Sequence, residues 1–176
     1  ELLGLTWDCV DFEHQTLLIN KQHNRAKGEK EFHFSSLKTE KVRSLTVTDE
    51  VMDALRRQQR RQAAWKAAAG ELWSNPDNLV FTTEFGRYVN NKTLYMNFKR
   101  VMRSLGLSEL RFHDLRHTFA VNSLKAGDDI KTVQENLGHA TASFTLSTYA
   151  HATPGMKRES ANRMIMYNKL RKLKTA

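Results

Sequence analysis

Apolar and polar residues alternate along much of the first fifty positions. Residues 10–20 (VDFEHQTLLIN), 31–37 (EFHFSSL) and 43–47 (RSLTV) show this period of two, and turn residues separate them. Such alternation is typical of half-buried strands, so we predict a small antiparallel sheet of three strands, the first run being a strand or a hairpin. Residues 1–5 (ELLGL) are expected to form the end of a helix before the sheet, with Trp7 closing the core.

Helical spacing replaces this alternation in the rest of the chain. Thr48 is a good N-cap and Gly70 a good closing residue, and they bound the first predicted helix. We expect the helix predicted at 113–126 to bury Leu115 and Phe119. The class is therefore α+β, mainly helical, in one domain over residues 1–176. Four further helices and a short strand are predicted at 91–104, 113–126, 131–137, 157–173 and 79–82.

The charge indicates a polyanionic partner. The chain carries 28 Lys and Arg against 19 Asp and Glu, a net charge of +9, with a pI near 9.8. Such values are common among nucleic-acid-binding domains, although charge alone leaves open a merely soluble basic protein. Residues 157–174 carry +6 of that charge. We interpret Arg56, Arg57, Arg60 and Arg61 as a solvated helix face rather than as phosphate contacts.

The cysteine content and the hydropathy of the chain limit the cellular compartments in which the protein is expected. Cys9 is the single cysteine, so no internal disulfide can form, and a packing role in a reducing cytoplasm is expected. No apolar run approaches the roughly 18 residues of a membrane span, and the N-terminus does not resemble an export signal. The chain opens at Glu1 within a helical pattern and without Met, which predicts a fragment of a longer protein.

The candidate chemistry is concentrated in residues 111–149 (RFHDLRHTFAVNSLKAGDDIKTVQENLGHATASFTLSTY). His113 and Arg116 are three apart, which places their Cβ atoms about 5–6 Å apart on one helix face. The glycine before His139 can take the left-handed conformation that ends a helix, and it would turn His139 toward the same point. Tyr149 follows ten residues later. Together, two imidazoles, a guanidinium and a phenol are the side chains expected of a site that acts on a phosphate group.

A zinc site is the main competing interpretation of this stretch. His113 and His117 are four apart, as in a zinc-binding helix. However, Asp114 replaces the glutamate of that motif, and Arg116 would lie as a cation beside the metal, so we expect no metal and no cofactor. His117 is interpreted instead as a supporting or core histidine.

Two other candidates also have simpler interpretations. Tyr149, taken alone, could be a packed aromatic residue. Lys38, near the tip of the predicted hairpin, could reach into a DNA groove or could be a solvated turn lysine, and Lys41 is a rival three residues away.

Three motifs together resemble those of the tyrosine recombinases, and within them the phage and conjugative-transposon integrases of bacteria. They are HDLRH at 113–117, LGH at 137–139 and STYAH at 147–151, and the resemblance extends to ELLGLTW at 1–7 and to the hairpin around Lys38. Three motifs in the family's order with compatible spacing are a specific signal. The resemblance implies a recombinase catalytic core over 1–156 and, at 157–176, a C-terminal helix that docks on a neighbouring protomer.

The resemblance also implies a reaction and a role for each residue. Tyr149 attacks a DNA phosphodiester, which leaves a 3′-phosphotyrosine and a free 5′ hydroxyl, and a second strand can reverse the step. Arg116 and His139 meet the added negative charge, and His113 does the same or takes the phenol proton. Lys38 is the lysine that protonates the leaving oxygen. Three further side chains are expected to support these five: His117, Asp114 and Glu1.

The expected function is that of an integrase, which inserts and excises a mobile element. Its expected partners are double-stranded DNA, further protomers in a tetramer on paired sites, an N-terminal DNA-binding domain and an accessory directionality protein, in the bacterial cytoplasm and without membrane contact. The family's other arginine precedes Glu1, so we expect residues 1–176 alone to cleave DNA poorly or not at all. Two alternatives stay open: a non-catalytic DNA-binding module of the same fold, and a nicking-closing enzyme that resembles type IB topoisomerases.

Overall fold

The computed structural model describes residues 1–24, 33–35, 42–138, 158, 161–162 and 164–166. The chain divides into two compact units, Glu1–Phe112 and His113–Ala176, and each is considered by itself. Described residues of the first unit form the strands and the two longest helices, and those of the second form two shorter helices and part of a C-terminal one. The predicted class, mainly helical with a small three-stranded antiparallel sheet, is confirmed. A single domain over all 176 residues stays a prediction.

The described residues of the first unit form the strands β1 (Val10–Asp11), β2 (Thr16–Ile19), β3 (Gln22–Asn24), β4 (His33–Ser35) and β5 (Arg43–Thr46). A three-stranded sheet has the order β1-β2-β5, and both pairings are antiparallel. The turn between β1 and β2 is held by Asp11, whose Oδ1 accepts hydrogen bonds from the backbone N–H groups of Glu13 and His14, each at 2.9 Å. Gln15 then takes a left-handed φ of 54°. The first alternating run is therefore a hairpin.

The expected membership of the sheet is wrong in one respect. The run at 31–37 contains β4, but β4 pairs with β3 in a separate two-stranded ribbon. The place beside β5 belongs to β2, with Thr16 opposite Thr46 and Ile19 opposite Arg43. The reason is the turn after Asp11, because it splits one predicted strand into two and so supplies two of the three sheet positions.

Two other expected elements are also corrected. Residues 1–5 hold a 3₁₀ turn, Leu2–Gly4, rather than the end of an α-helix. The segment 79–82 makes only isolated bridges, Thr6 to Leu79 and Thr82 to Tyr88. Side chains take the place of a partner strand there, since Asn75 both donates to the Leu79 carbonyl at 3.0 Å and accepts from its N–H at 2.9 Å.

The core of the first unit lies between the sheet and the first helix, α1 (Asp49–Ala69). Its buried cluster is completed by partly buried neighbours that include Trp7, as predicted. A buried amide crosses this core: Gln62 Oε1 accepts from Trp7 Nε1 at 2.8 Å, and its Nε2 donates to the carbonyls of Leu79 and Val80, each at 2.9 Å. The buried cluster consists of Leu5, Cys9, Met52, Leu55 and Val80.

Both long helices begin where the sequence predicts. Thr48 is the N-cap residue of α1, and Gly70 follows its end with a φ of 54°. The second helix, α2 (Asn91–Ser104), is capped by Asn90, whose side chain accepts from Lys92 N at 2.8 Å. The four arginines of α1 are exposed, in agreement with a solvated face. No helix of the described ranges is long and apolar enough to cross a membrane.

The second unit is organised around two short helices, α3 (Asp114–Ala126) and α4 (Ile130–Leu137). Ala120, Val133 and Leu137 form its buried cluster, with Leu124 packed against them. The expectation that Leu115 and Phe119 are buried is wrong, because they are 48% and 46% exposed. The small side chain of Ala120 packs against Val133 and Leu137 of α4, so the buried face of α3 is centred on Ala120. Of the predicted C-terminal helix, the described residues are helical.

Candidate active site

The HDLRH motif lies at the N-terminus of α3. His113 is the N-cap residue, and its carbonyl accepts hydrogen bonds from the N–H groups of Arg116 at 3.0 Å and His117 at 3.4 Å. Asp114 occupies the first turn, where a carboxylate interacts favourably with the helix dipole. His113 and Arg116 therefore lie within one turn of backbone at the start of α3, and a shared face for their side chains stays a prediction.

The two histidines of the motif contact each other through their rings. The centroids of His113 and His117 are 5.0 Å apart, and the ring planes are inclined by 85°, an edge-to-face arrangement. His113 is exposed and His117 is half-buried. His113 therefore presents the outer ring of the pair and His117 the inner one. Within the described part of the chain no group of three or more His, Cys, Asp or Glu could hold a metal ion.

Arg116 connects two motifs of the second unit, HDLRH and LGH. It is half-buried, and its Nη2 donates a hydrogen bond to the backbone carbonyl of Leu137. Leu137 is the last residue of α4 and is itself buried at 5% exposure. A guanidinium carries its N–H donors in a rigid planar fork, so a bond to a fixed backbone carbonyl restricts the plane of the Arg116 side chain.

The turn after α4 follows from one residue. Gly138 adopts the left-handed conformation, with φ 65° and ψ 32°, and its N–H bonds to the carbonyl of Glu135 at 3.0 Å. This is the predicted left-handed end of the helix, and it immediately precedes His139. The position of His139 itself lies outside the described residues.

The other end of α4 is held by a capping carboxylate. Asp129 is the N-cap residue, and its Oδ1 accepts a hydrogen bond from Thr132 N at 3.0 Å while its Oδ2 accepts one from the Thr132 hydroxyl at 2.5 Å. These hydrogen bonds stabilise the charged form and lower the pKa of Asp129. Both ends of the short helix that carries the Arg116 acceptor are thus capped.

In the first unit Glu1 forms an ion pair with a residue that the motifs did not single out. Arg43 places Nη1 at 3.2 Å from Glu1 Oε1 and Nη2 at 2.7 Å from Oε2, a two-bond fork. The only sequence signal for Arg43 was its place at the head of the third predicted strand. Three predicted site residues, Lys38, His139 and Tyr149, lie outside the described residues, as does Lys41.

Comparison with known proteins identifies the family of this chain. Residues 1–156 match the model of a family described as the phage integrase family. A "Tyrosine recombinase XerC-like" protein of Caldanaerobacter subterraneus subsp. tengcongensis is 30% identical over 89% of this chain and 43% of its own length. The "ICEBs1 integrase" of Bacillus subtilis is 24% identical over 93% of this chain and 44% of its own length. The resemblance that the three motifs indicated is confirmed.

A solved structure supports the same conclusion for the fold. The Tn1549 transposon integrase in complex with transposon right end DNA superposes with a TM-score of 0.72 at 27% identity, covering 94% of this chain and 54% of that one. The chain therefore spans about half the length of the curated and solved relatives that it matches.

Proposed function

We propose, from the premise that this chain belongs to the phage integrase family, that it acts as the catalytic part of a site-specific DNA recombinase. The enzyme cuts and rejoins duplex DNA through a 3′-phosphotyrosine, and it integrates and excises a mobile element. The observation that carries the proposal is the hydrogen bond from Arg116 to the Leu137 carbonyl. It joins the first turn of α3, which follows His113, to the end of α4, which precedes His139 by two residues. Two motifs far apart in sequence thus contribute to one site.

The chemistry starts with the nucleophile. The Tyr149 hydroxyl oxygen bonds to phosphorus, the bond from phosphorus to the 5′ oxygen breaks, and the phenol proton passes to His113. A phenol has a pKa near 10, so the reaction at neutral pH depends on such a base and on nearby positive charge. The bridging ester keeps the energy of the original bond, so a 5′ hydroxyl from another strand can reverse the step.

The remaining side chains act on the phosphate and on the leaving group. The guanidinium of Arg116 and the imidazole of His139 donate to the nonbridging oxygens, where negative charge increases in the transition state. Lys38 protonates the departing 5′ oxygen, a contribution typically worth about 10² to 10⁴ in rate. His117 and Asp114 hold the start of α3, and Glu1 holds Arg43.

A suicide substrate tests the reaction. The complete gene product is incubated with a duplex from the element's own junction, nicked beside the scissile phosphate so that the released fragment diffuses away. We expect a covalent protein–DNA adduct that survives denaturation and is lost in Tyr149→Phe. An adduct that persists in Tyr149→Phe would contradict the proposal. Binding without any adduct would instead favour a non-catalytic module, and relaxation of DNA that lacks paired sites would favour a topoisomerase.

The assembly is part of the same proposal. The paired sites are held by several protomers, four in the simplest arrangement, together with an N-terminal DNA-binding domain and an accessory directionality protein. The C-terminal helix docks on a neighbouring protomer, which is supported by the exposure of Met164, Ile165 and Met166 at 61%, 55% and 67%. Removal of residues 157–176 should abolish assembly on paired sites in gel-shift experiments while binding to a single site persists. Unchanged assembly would contradict the docking.

A further inference from the structure

We infer that Ala120 is a positioning residue for DNA cleavage, because it sets the spacing of α3 and α4 at which the Arg116 guanidinium reaches the Leu137 carbonyl. This role rests on the proposed function, and it adds to that reaction a residue that works through another side chain. Ala120 is fully buried, so it acts on the reaction only through the orientation of Arg116.

Three residues at helical spacing form the face of α3 that meets α4. Arg116, Ala120 and Leu124 are four apart, so they lie one above another on the same side of the helix. Ala120 belongs to the buried cluster with Val133 and Leu137. Leu124 packs against that cluster, and Arg116 donates from its Nη2 to the Leu137 carbonyl at the end of α4. The same face of α3 therefore carries the packing contact and the hydrogen bond.

The turn between the two helices holds their other ends together. Gly127 takes a left-handed φ of 104°, and its N–H bonds to the carbonyls of Ser123 and Leu124 at 3.1 and 3.2 Å. Asp129 then caps the N-terminus of α4. Because the turn fixes the helices at this end, their separation at the other end, near Arg116, depends on the side chains packed between them.

The size of the side chain at position 120 decides that separation. Ala120 and Val133 are both 0% exposed, and added methyl groups in such a close-packed contact force side chains or backbone to shift. A displacement of α4, which has only eight residues, moves the Leu137 carbonyl with it. A hydrogen bond weakens steeply as its distance and angle depart from the preferred values. A larger side chain at 120 should therefore release the Arg116 guanidinium from its fixed plane.

A neutral linkage isolates the contribution of the guanidinium. Single-turnover strand cleavage by the complete gene product is measured on two suicide substrates, one natural and one with a methylphosphonate at the scissile position. The methylphosphonate carries no negative charge before attack, so its cleavage depends far less on the orientation of Arg116. We expect Ala120→Val to be at least about 10-fold slower than the parent on the phosphodiester and within about 3-fold on the methylphosphonate, the pattern that Arg116→Ala shows more strongly.

Matched variants separate the spacing of the helices from their stability. Ala120→Val combined with Val133→Ala restores the total volume of the contact and should recover most of the lost rate on the phosphodiester. Ala126→Val places the same side chain at an exposed position of α3 and should match the parent on both substrates. Ala120→Val in an Arg116→Ala background should cause no further slowing, because the residue through which it acts is already absent.

Two results would overturn the role of Ala120 while leaving the proposed function intact. Equal slowing of Ala120→Val on both substrates would mean that Ala120 only supports folding, and parental rates on both would mean that the spacing does not orient Arg116. If Ala120→Val does not fold, Ala120→Ser, which adds a single heavy atom, takes its place in the same comparison and should show a smaller loss confined to the phosphodiester. If the parent cleaves neither substrate, the proposed function fails, and this role fails with it.

Discussion

The side chain of Arg116 and the backbone carbonyl of Leu137, 21 residues apart in sequence, are joined by a hydrogen bond. Arg116 lies in the first turn of α3, and Leu137 is the last residue of α4 before the left-handed Gly138. Because Leu137 is buried against Ala120 and Val133, its carbonyl is a fixed acceptor. The orientation of the guanidinium thus depends on the packing of two helices as well as on the HDLRH motif.

Substitution of Arg116 should slow cleavage more than loss of charge alone explains. Arg116→Lys keeps a cation but cannot bond the Leu137 carbonyl and a phosphate in one plane, so we expect a loss of about 10² in the rate of adduct formation, and of up to about 10³ for Arg116→Ala. Single-turnover kinetics on a suicide substrate measure both. Lys125→Gln, at the exposed end of the same helix, is the control and should match the parent. An Arg116→Lys enzyme at the parental rate would contradict this role.

Gln62 should be essential for the stability of the first unit. Its side chain is buried at 6% exposure and is bonded to Trp7, Leu79, Val80 and Thr82. Gln62→Leu leaves these groups without their partner, and each unsatisfied buried group costs roughly 1–3 kcal/mol, so we expect a loss of at least about 2 kcal/mol in the free energy of unfolding. Urea denaturation measures it.

The control for this substitution lies one helical turn earlier. Gln58 is only half-buried and donates one bond, to the Val80 carbonyl at 3.0 Å. Gln58→Leu should cost about 1 kcal/mol or less. Equal losses of unfolding free energy in the two variants would show that the buried hydrogen bonds of Gln62 stabilise the unit no more than the single bond of Gln58.

Gly86 cannot be replaced without moving backbone. It has a φ of +81°, and a Cβ atom there would lie 2.7 Å from the carbonyl oxygen of Ser74. Gly106 has a similar φ of +72°, but a Cβ atom there would have no neighbour within 4 Å. Gly106→Ala therefore measures the cost of the left-handed backbone alone, without a steric clash. We expect about 1 kcal/mol of destabilisation for Gly106→Ala and clearly more, over about 2 kcal/mol, for Gly86→Ala. Thermal denaturation compares the two, and equal melting temperatures would rule out the close approach.

The cap of α4 should make stability depend on pH in the acid range. The pKa of Asp129 is lowered in the folded chain from its ordinary value of 3.8 by the hydrogen bonds of Thr132. Because the pKa of Asp129 is lower in the folded chain than in the unfolded one, its carboxylate stabilises the folded chain. This stabilisation is fully present at a pH above the unfolded-state pKa, and it is lost as the pH falls through the folded-state pKa. Asp129→Ala should therefore lower the Tm at pH 7, with a difference that narrows below about pH 4. Asp128→Asn, at the neighbouring carboxylate, should leave the Tm unchanged at both pH values.

Local patterns were sufficient for the elements whose signals are contained within a few residues. The N-cap position of Thr48 and the left-handed glycines at 70 and 138 depend on backbone geometry over one turn, so these helix limits were predictable. The family was also predictable, because HDLRH and LGH with a later tyrosine form an ordered set of motifs.

Contacts between distant segments were decided only by the tertiary structure. The pairing of β2 with β5, the replacement of a strand at 79–82 by the amides of Asn75 and Gln62, and the forked bond between Glu1 and Arg43 each join residues whose separation in sequence carries no period. The same holds for Leu115 and Phe119, which have the spacing of core residues and are exposed because Ala120 determines which face of α3 meets α4. Hydrophobicity selects candidates for burial, but packing against a particular neighbour selects among them.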